Sequence, residues 1–174
     1  GLSATIGILA ALQSRQSTGV GQKVDIALVD SAVASLEIIN MIYLVEKRLP
    51  QRIGNRYEST YPYDSFSALD GSLVIGAAND KLYQSLCRVM GQPELAEKPE
   101  FLRVRDRVKN HELLKPVIQK WTKTKKVSEI VDELLAAGVP AAPIYSIDQV
   151  VQDPHIAGAR EMFKEVDHPI AGKL

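Results

Sequence analysis

The sequence holds three histidines, one cysteine and several acidic residues beside glycine turns, and each could in principle do chemistry. His111, His155 and His168 form no i, i+4 pair, and no cysteine or carboxylate stands near them at metal-ligand spacing, so no metal site is expected. Cys87 is the single cysteine, which excludes a disulfide framework and a cysteine-built zinc site and fits a reducing compartment. Beside Leu86 and Met90 it reads as a small buried hydrophobe and not as a nucleophile. Gly19-Val20-Gly21 resembles a dinucleotide-binding turn, but that fingerprint needs strand, glycines, then helix. Here the helical pattern comes first, so the glycines read as a helix-to-strand turn. His168-Pro169 reads as a structural or solvated loop, Trp121 as core, and Asp30 as a helix cap near Asp25. No Gly-x-Ser-x-Gly elbow or Walker loop occurs. These residues make no complete catalytic set.

The bulk composition is that of a globular domain. Hydrophobic residues make up 45% and charged residues 24%, with 21 basic against 21 acidic side chains. A balanced charge gives no global field for nucleic acid or a membrane surface. Charge is unevenly spread, however: Arg103 to Lys126 holds nine basic and two acidic residues, and residues 127–174 hold three and eight. The basic stretch reads as a solvated helix face. The longest apolar run, Ile6 to Leu12, is too short to span a bilayer. A cytoplasmic location is expected.

The elements that would position any site follow from periodicity. Leu2, Ile6, Leu9 and Leu12 predict a helix over residues 1–16, and Val24 to Leu28 alternates as a short strand. Asp30 or Ser31 would cap a long apolar helix reaching about Lys47. Helix–strand–helix predicts part of an α/β layer with a parallel sheet. Pro50 to Pro62 is a polar connection, after which the rhythm changes. Tyr63 to Ala68 and Leu73 to Ala78 read as strands joined at Asp70-Gly71, and Asn79 or Asp80 caps a helix that Gly91 stops. Leu113 to Trp121 predicts a helix that Pro116 either delays or kinks. A further helix at 127–137 ends at Gly138, and Ala141 to Tyr145 reads as a strand. Ser146 and Gln149 match a capping box, Asp153-Pro154 starts a helix, and Met162 to Asp167 reads as a strand. The chain opens on what reads as helix interior, and both ends read as cut.

The order of short motifs resembles the family III CoA-transferases (CaiB/BaiF family). The resemblance lies in "ILAALQSRQSTGVGQKVDIALVDSA", Gly54-Asn55, "YPYDSF", "DGSLVIGAAND", "LCRVMGQPEL", "GVPAAPIYSIDQVVQDPHIAGAREMF" and "VDHPIAGKL". It implies an α/β chain: residues 1–58 as the latter part of a large α/β domain plus linker, 59–163 as a small α+β domain, and 164–174 as the start of a return segment. It further implies an interlocked homodimer, with coenzyme A and acyl-CoA as substrates and a carboxylic acid as acceptor. No metal, nucleic acid or membrane partner is implied. The family's nucleophile is an aspartate that forms a mixed anhydride and then a CoA thioester. By resemblance that aspartate is expected upstream of Gly1, so no catalytic residue is assigned and the fragment alone is expected to be inactive.

Gly54, Asn55, Arg56, Tyr57 and Glu58 occupy the position where some relatives carry a glycine-rich loop over the acyl intermediate. Only one glycine stands here, so either a backbone N–H or Arg56 touches a substrate carboxylate, or the stretch is an interdomain linker. Asn79 and Asp80 are open to a helix-cap or a functional reading. An α-methylacyl-CoA racemase-like enzyme of the same superfamily, needing an acid/base pair, is the alternative chemistry. A non-catalytic binding module using the basic stretch is the third reading. Apolar residues 1–46 are expected to leave exposed surface and drive self-association.

Overall fold

Gly7 lets the segment around Val24 and Ile26 approach the first helix closely. It lies in α1 (Leu2–Thr18), and a Cβ at that position would stand 2.8 Å from Val24 Cγ1 and 3.3 Å from Ile26 Cδ1. The computed structural model describes residues 1–173 and divides into two compact units, Gly1–Arg52 and a second beginning at Ile53. In the first unit α1 ends at Gly19 (φ 74°), whose N–H donates to the Arg15 carbonyl. The chain then returns so that Val24 and Ile26 lie against α1 at Gly7.

That packing explains the alternation over 24–28, and it corrects the expected strand. No other segment among the described residues offers this stretch a ladder of N–H and C=O groups, and a strand needs one. The parallel sheet expected from helix–strand–helix is likewise absent among the described residues, whose sheets are antiparallel.

The single long helix is also corrected. It forms as α2 (Leu28–Ala34) and α3 (Ile38–Glu46), bent by 74°. Ala27, not Asp30 or Ser31, is the N-cap, and Asp30 stands in the first turn where a carboxylate favours the helix dipole. At the break Glu37 takes φ 41°, and the Val33 carbonyl accepts both the Leu36 N–H at 3.1 Å and the Asn40 side-chain amide at 2.8 Å. None of the residues in these three helices is buried; Leu2 is 83% and Leu28 90% exposed. Among the described residues no single helix is long and apolar enough to cross a membrane.

The second unit has a core. β1 (Tyr63–Ser67), β2 (Ser72–Gly76) and β3 (Ala141–Pro143) form an antiparallel sheet in that order, with Tyr63 opposite Gly76 and Leu73 opposite Pro143. The pleat turns Asp64 and Phe66 inward from β1, and Leu73 and Ile75 inward from β2. α4 (Asp80–Val89) begins where Asn79 Oδ1 accepts the Leu82 N–H at 2.9 Å, which settles Asn79 as its cap. A 3₁₀ turn at Pro93–Glu97 and α5 (Val104–Lys109) lead to α6 (His111–Thr122). α6 begins more than a turn before Pro116, so the proline does not delay it.

α7 (Val127–Ala136) starts where Asp70 of the hairpin turn accepts the Val127 N–H and Glu129 accepts the Lys126 N–H. It ends at Gly138 (φ 74°) with the Val139 N–H donating to the Leu134 carbonyl. Leu86, Cys87, Leu114, Ile118, Ile130 and Leu134 close the core over the sheet. Each such aliphatic side chain contributes about 1.5–3 kcal/mol on burial.

Beyond β3 the Ser146 N–H donates to Gln149 Oε1 and opens α8 (Ile147–Gln152). Asp153 then accepts from the His155 and Ile156 N–H groups, starting the wider helical turn Pro154–Ala159. The expected strand over 162–167 does not form. Glu161 (φ 46°) turns the chain, and only β4 (Asp167–His168) and β5 (Gly172–Lys173) pair, as a two-residue ladder.

Candidate functional site

α6 docks on the edge strand β1 through three side chains spaced to share one helix face. Lys115 Nζ donates to Asp64 Oδ2 at 2.6 Å, Gln119 Nε2 donates to the Ser67 carbonyl at 2.7 Å, and Thr122 Oγ1 donates to the same carbonyl at 2.7 Å. Gln119 Oε1 in turn accepts the Ser67 N–H. The edge of the sheet is thereby paired by side chains instead of by another strand. Asp64, turned inward by the pleat, is only 1% exposed and also accepts the Ser65 N–H at 2.7 Å.

The segment before β1 folds back along it. The Tyr57 N–H donates to the Tyr63 carbonyl at 2.8 Å, the two tyrosine rings lie 5.4 Å apart, and Asn55 Nδ2 donates to Ser65 Oγ at 3.1 Å. Gly54 takes φ 69°, the left-handed conformation that lets the turn close. A cavity of about 320 Å³ results, lined by Ile53, Arg56, Asp64, His111, Glu112, Lys115 and Pro116. That volume suits a small organic ligand.

Of the five predicted site residues, Arg56 lines this cavity. Gly54, Asn55 and Tyr57 shape the loop instead, and Glu58 is half-buried with its carbonyl facing the Arg56 guanidinium at 3.5 Å. Arg56 Nη1 makes only two long contacts, to the Tyr57 and Glu58 carbonyls, and among the described residues it has no ion pair. His111 Nδ1 donates to the Val108 carbonyl at 3.0 Å, which leaves Nε2 as its available atom.

The Tyr61 ring meets the His111 ring edge-on at 5.9 Å. Its hydroxyl is buried without a hydrogen-bond partner among the described residues, and burial together with the Asp64 charge pushes its ionisation up. Tyr61 therefore stays a neutral phenol at any ordinary pH.

Sequence reading missed Asp64, His111 and Lys115. Lys115 lay inside the stretch taken as a solvated face, and its partner is 51 positions away. The signal that could have found the pair is Asp64 itself, an acid on the same pleat face as Phe66. A second cavity, of about 430 Å³ near the hairpin turn, is lined by Asp70, Asp132 and Tyr145 with no cation, so it repels an anionic substrate. Among the described residues no three His, Cys, Asp or Glu side chains cluster as a metal site.

Cys87 has no part in this chemistry. It is fully buried, and burial pushes its thiol up to about 11. At pH 8 the native protein is expected to leave a disulfide reagent such as DTNB unreduced over minutes and to release one equivalent of thiol after denaturation. Rapid reaction of the native protein would show the thiol to be exposed.

The profile described as CoA-transferase family III matches residues 1–174. The chain belongs to this family. Among its relatives, the succinyl-CoA:mesaconate CoA-transferase of Haloarcula marismortui is 42% identical over 164 residues, covering 94% of this chain and 40% of that protein. The acetyl-CoA:oxalate CoA-transferase of Acetobacter aceti is 34% identical, covering 91% of this chain and 41% of the relative. A CAIB/BAIF family protein from Brucella suis superposes with a TM-score of 0.73 at 32% identity, over 100% of this chain and 48% of the other. A protein of M. tuberculosis superposes with a TM-score of 0.80 at 30% identity, over 97% of this chain and 43% of that one. The family III chain thus spans about 40% of the length of the curated relatives it matches.

Proposed function

We propose that this chain is part of an enzyme that moves coenzyme A from an acyl-CoA to a carboxylic acid. The observation that carries the reading is the family match over all 174 residues. The names of relatives support it, since they pair succinyl-CoA or acetyl-CoA with mesaconate and oxalate. The chemistry asks for a carboxylate nucleophile that attacks the thioester and releases CoA thiolate. The thiolate attacks the mixed anhydride at the enzyme's carboxyl carbon to give an enzyme-bound CoA thioester and free donor acid. The acceptor carboxylate then runs the two steps in reverse and leaves as its CoA thioester. Carboxylates are weak nucleophiles in water, so a desolvated site with fixed donors for the oxyanion is required. The reading places the nucleophilic aspartate outside residues 1–174, within the length of the relatives that the chain does not cover.

This chain would supply the substrate-facing cavity at Arg56. A homodimer and a cytoplasmic location belong to the same reading, with the uncovered apolar helices α1 to α3 as support for a partner surface.

The test is CoA exchange between succinyl-CoA and free acids, assayed with the full-length gene product and with residues 1–174 alone. Exchange by the first and none by the second is expected. Robust exchange by residues 1–174 would overturn the placement of the nucleophile. Deuterium uptake at the α-carbon without CoA exchange would replace transfer by racemisation.

A further inference from the structure

We infer that the cavity at Arg56 holds the second, non-reacting carboxylate of a dicarboxylic acid substrate; this rests on the CoA-transfer reading. Its occupant follows from charge. Four ionised groups line the cavity: Arg56 and Lys115 against Asp64 and Glu112. Asp64 is already answered, at 2.6 Å by Lys115 and at 2.7 Å by the Ser65 N–H. Glu112 is exposed, so water screens it. Arg56 is the cation left over, half-buried, with no ion pair among the described residues and most of its five N–H donors unused.

A guanidinium in that state accepts one carboxylate in a two-pronged contact. The His111 imidazole lines the same cavity, but its Nδ1 proton is committed to the Val108 carbonyl, so Arg56 supplies the donors for the carboxylate and His111 only a wall beside it.

The same balance disfavours a phosphate. A dianion would meet a single unpaired guanidinium in a space whose two cations are already matched in number by two carboxylates, and the diphosphate of coenzyme A carries more charge still. The cavity therefore reads the acid and not the coenzyme. Its volume, about 320 Å³, suits a short chain ending in a carboxylate. A monocarboxylic acid has nothing to offer Arg56 once its only carboxylate is committed to reaction, so Arg56 sets a preference for dicarboxylates.

Two measurements test this. Succinate titrated into residues 1–174 should shift the NMR signals of His111 and of the Arg56 side chain. Arg56→Gln should weaken that binding about ten- to hundred-fold, as loss of a charged hydrogen-bonded contact does, while leaving the fold intact by circular dichroism. In the full-length gene product, Arg56→Gln should lower the ratio of kcat/KM for succinate over that for butyrate about ten-fold or more, mainly through KM.

Absence of succinate shifts, or shifts unchanged in Arg56→Gln, overturns the assignment whatever the activity. Displacement of succinate by adenosine 3′,5′-bisphosphate overturns it in favour of a coenzyme phosphate. An equal loss for succinate and butyrate overturns the dicarboxylate preference. Arg56-dependent succinate binding in a protein that transfers no CoA supports the carboxylate site and removes the transfer reading alone.

Discussion

Replacing Arg107 by Leu is expected to destabilise the second unit by about 3–5 kcal/mol, the cost of removing one partner from a buried charged network. Arg107 is 0% exposed, yet it carries a full charge. Nε donates to the Tyr61 carbonyl at 2.8 Å, Nη1 to the Phe101 carbonyl at 3.0 Å and to that of Leu102 at 3.3 Å, and Nη2 to Asp80 at 2.9 Å. Its guanidinium also stands 4.5 Å from the centre of the Tyr83 ring. Leucine fills part of the volume but strands three carbonyls and leaves Asp80 to Arg103. Urea unfolding followed at 222 nm measures the loss, and a change under 1 kcal/mol would mean that water replaces the guanidinium.

The same cluster predicts acid sensitivity. Burial alone would raise the Asp80 carboxyl, but hydrogen bonds from Arg107 and then Arg103 outweigh it and hold it below the usual carboxylate range. A carboxyl depressed in the folded state stabilises above its unfolded value, near about 3.9, and that contribution is lost as pH falls through the folded value. Stability at neutral pH thus includes the Asp80 contribution, which drains away below about pH 4. Asp80→Asn should be less stable at pH 7 and show a shallower decline in acid. The carboxylate is about a third exposed (34%), so the effect is modest beside that of Arg107.

The second large effect is at Lys115. Lys115→Met leaves the Asp64 carboxylate, 1% exposed, with the Ser65 N–H as its remaining donor. A buried carboxylate stripped of its cation costs several kcal/mol; because Lys115 is itself 42% exposed and water reaches the pair, about 2–3 kcal/mol is expected. Adding Asp64→Asn should recover most of it, giving a double-mutant coupling of about 2–3 kcal/mol. Additive losses in the double mutant would show that Lys115 acts through its contact with the Phe66 ring instead.

Which features the sequence revealed depended on how far apart the partners stand. Ser146 with Gln149 and Asp153 with Ile156 are separated by three residues and were legible from residue types, whereas the cap at the start of α4 was narrowed only to Asn79 or Asp80 until the Leu82 N–H chose Asn79. The αL glycines at 91 and 138 were legible for the same reason, since the left-handed turn is a property of one residue. The alternation at 24–28 misled because period two marks a face and not a ladder, and here the face packs on a helix. The break at Glu37 left no glycine or proline to announce it.

Arg107 was hidden in a run of basic residues. Nothing local separates it from exposed Arg105, because its partners at Tyr61 and Asp80 lie 46 and 27 positions away. At the candidate site Arg56 was visible, whereas the cavity that gives it a role is completed by α6, which begins 55 positions further on at His111. The glycine loop sought there is instead a turn tied to β1.

The unburied helices α1 to α3 have a kinetic meaning. Helices of seven and nine residues are marginal in water without tertiary packing. Their amide protons are therefore expected to exchange faster than those of the sheet and α6. The second unit can behave as a cooperative foldon. The short helices α2 and α3 are expected to gain protection only when a further surface covers them, and until then their exposed apolar side chains are what a chaperone would bind.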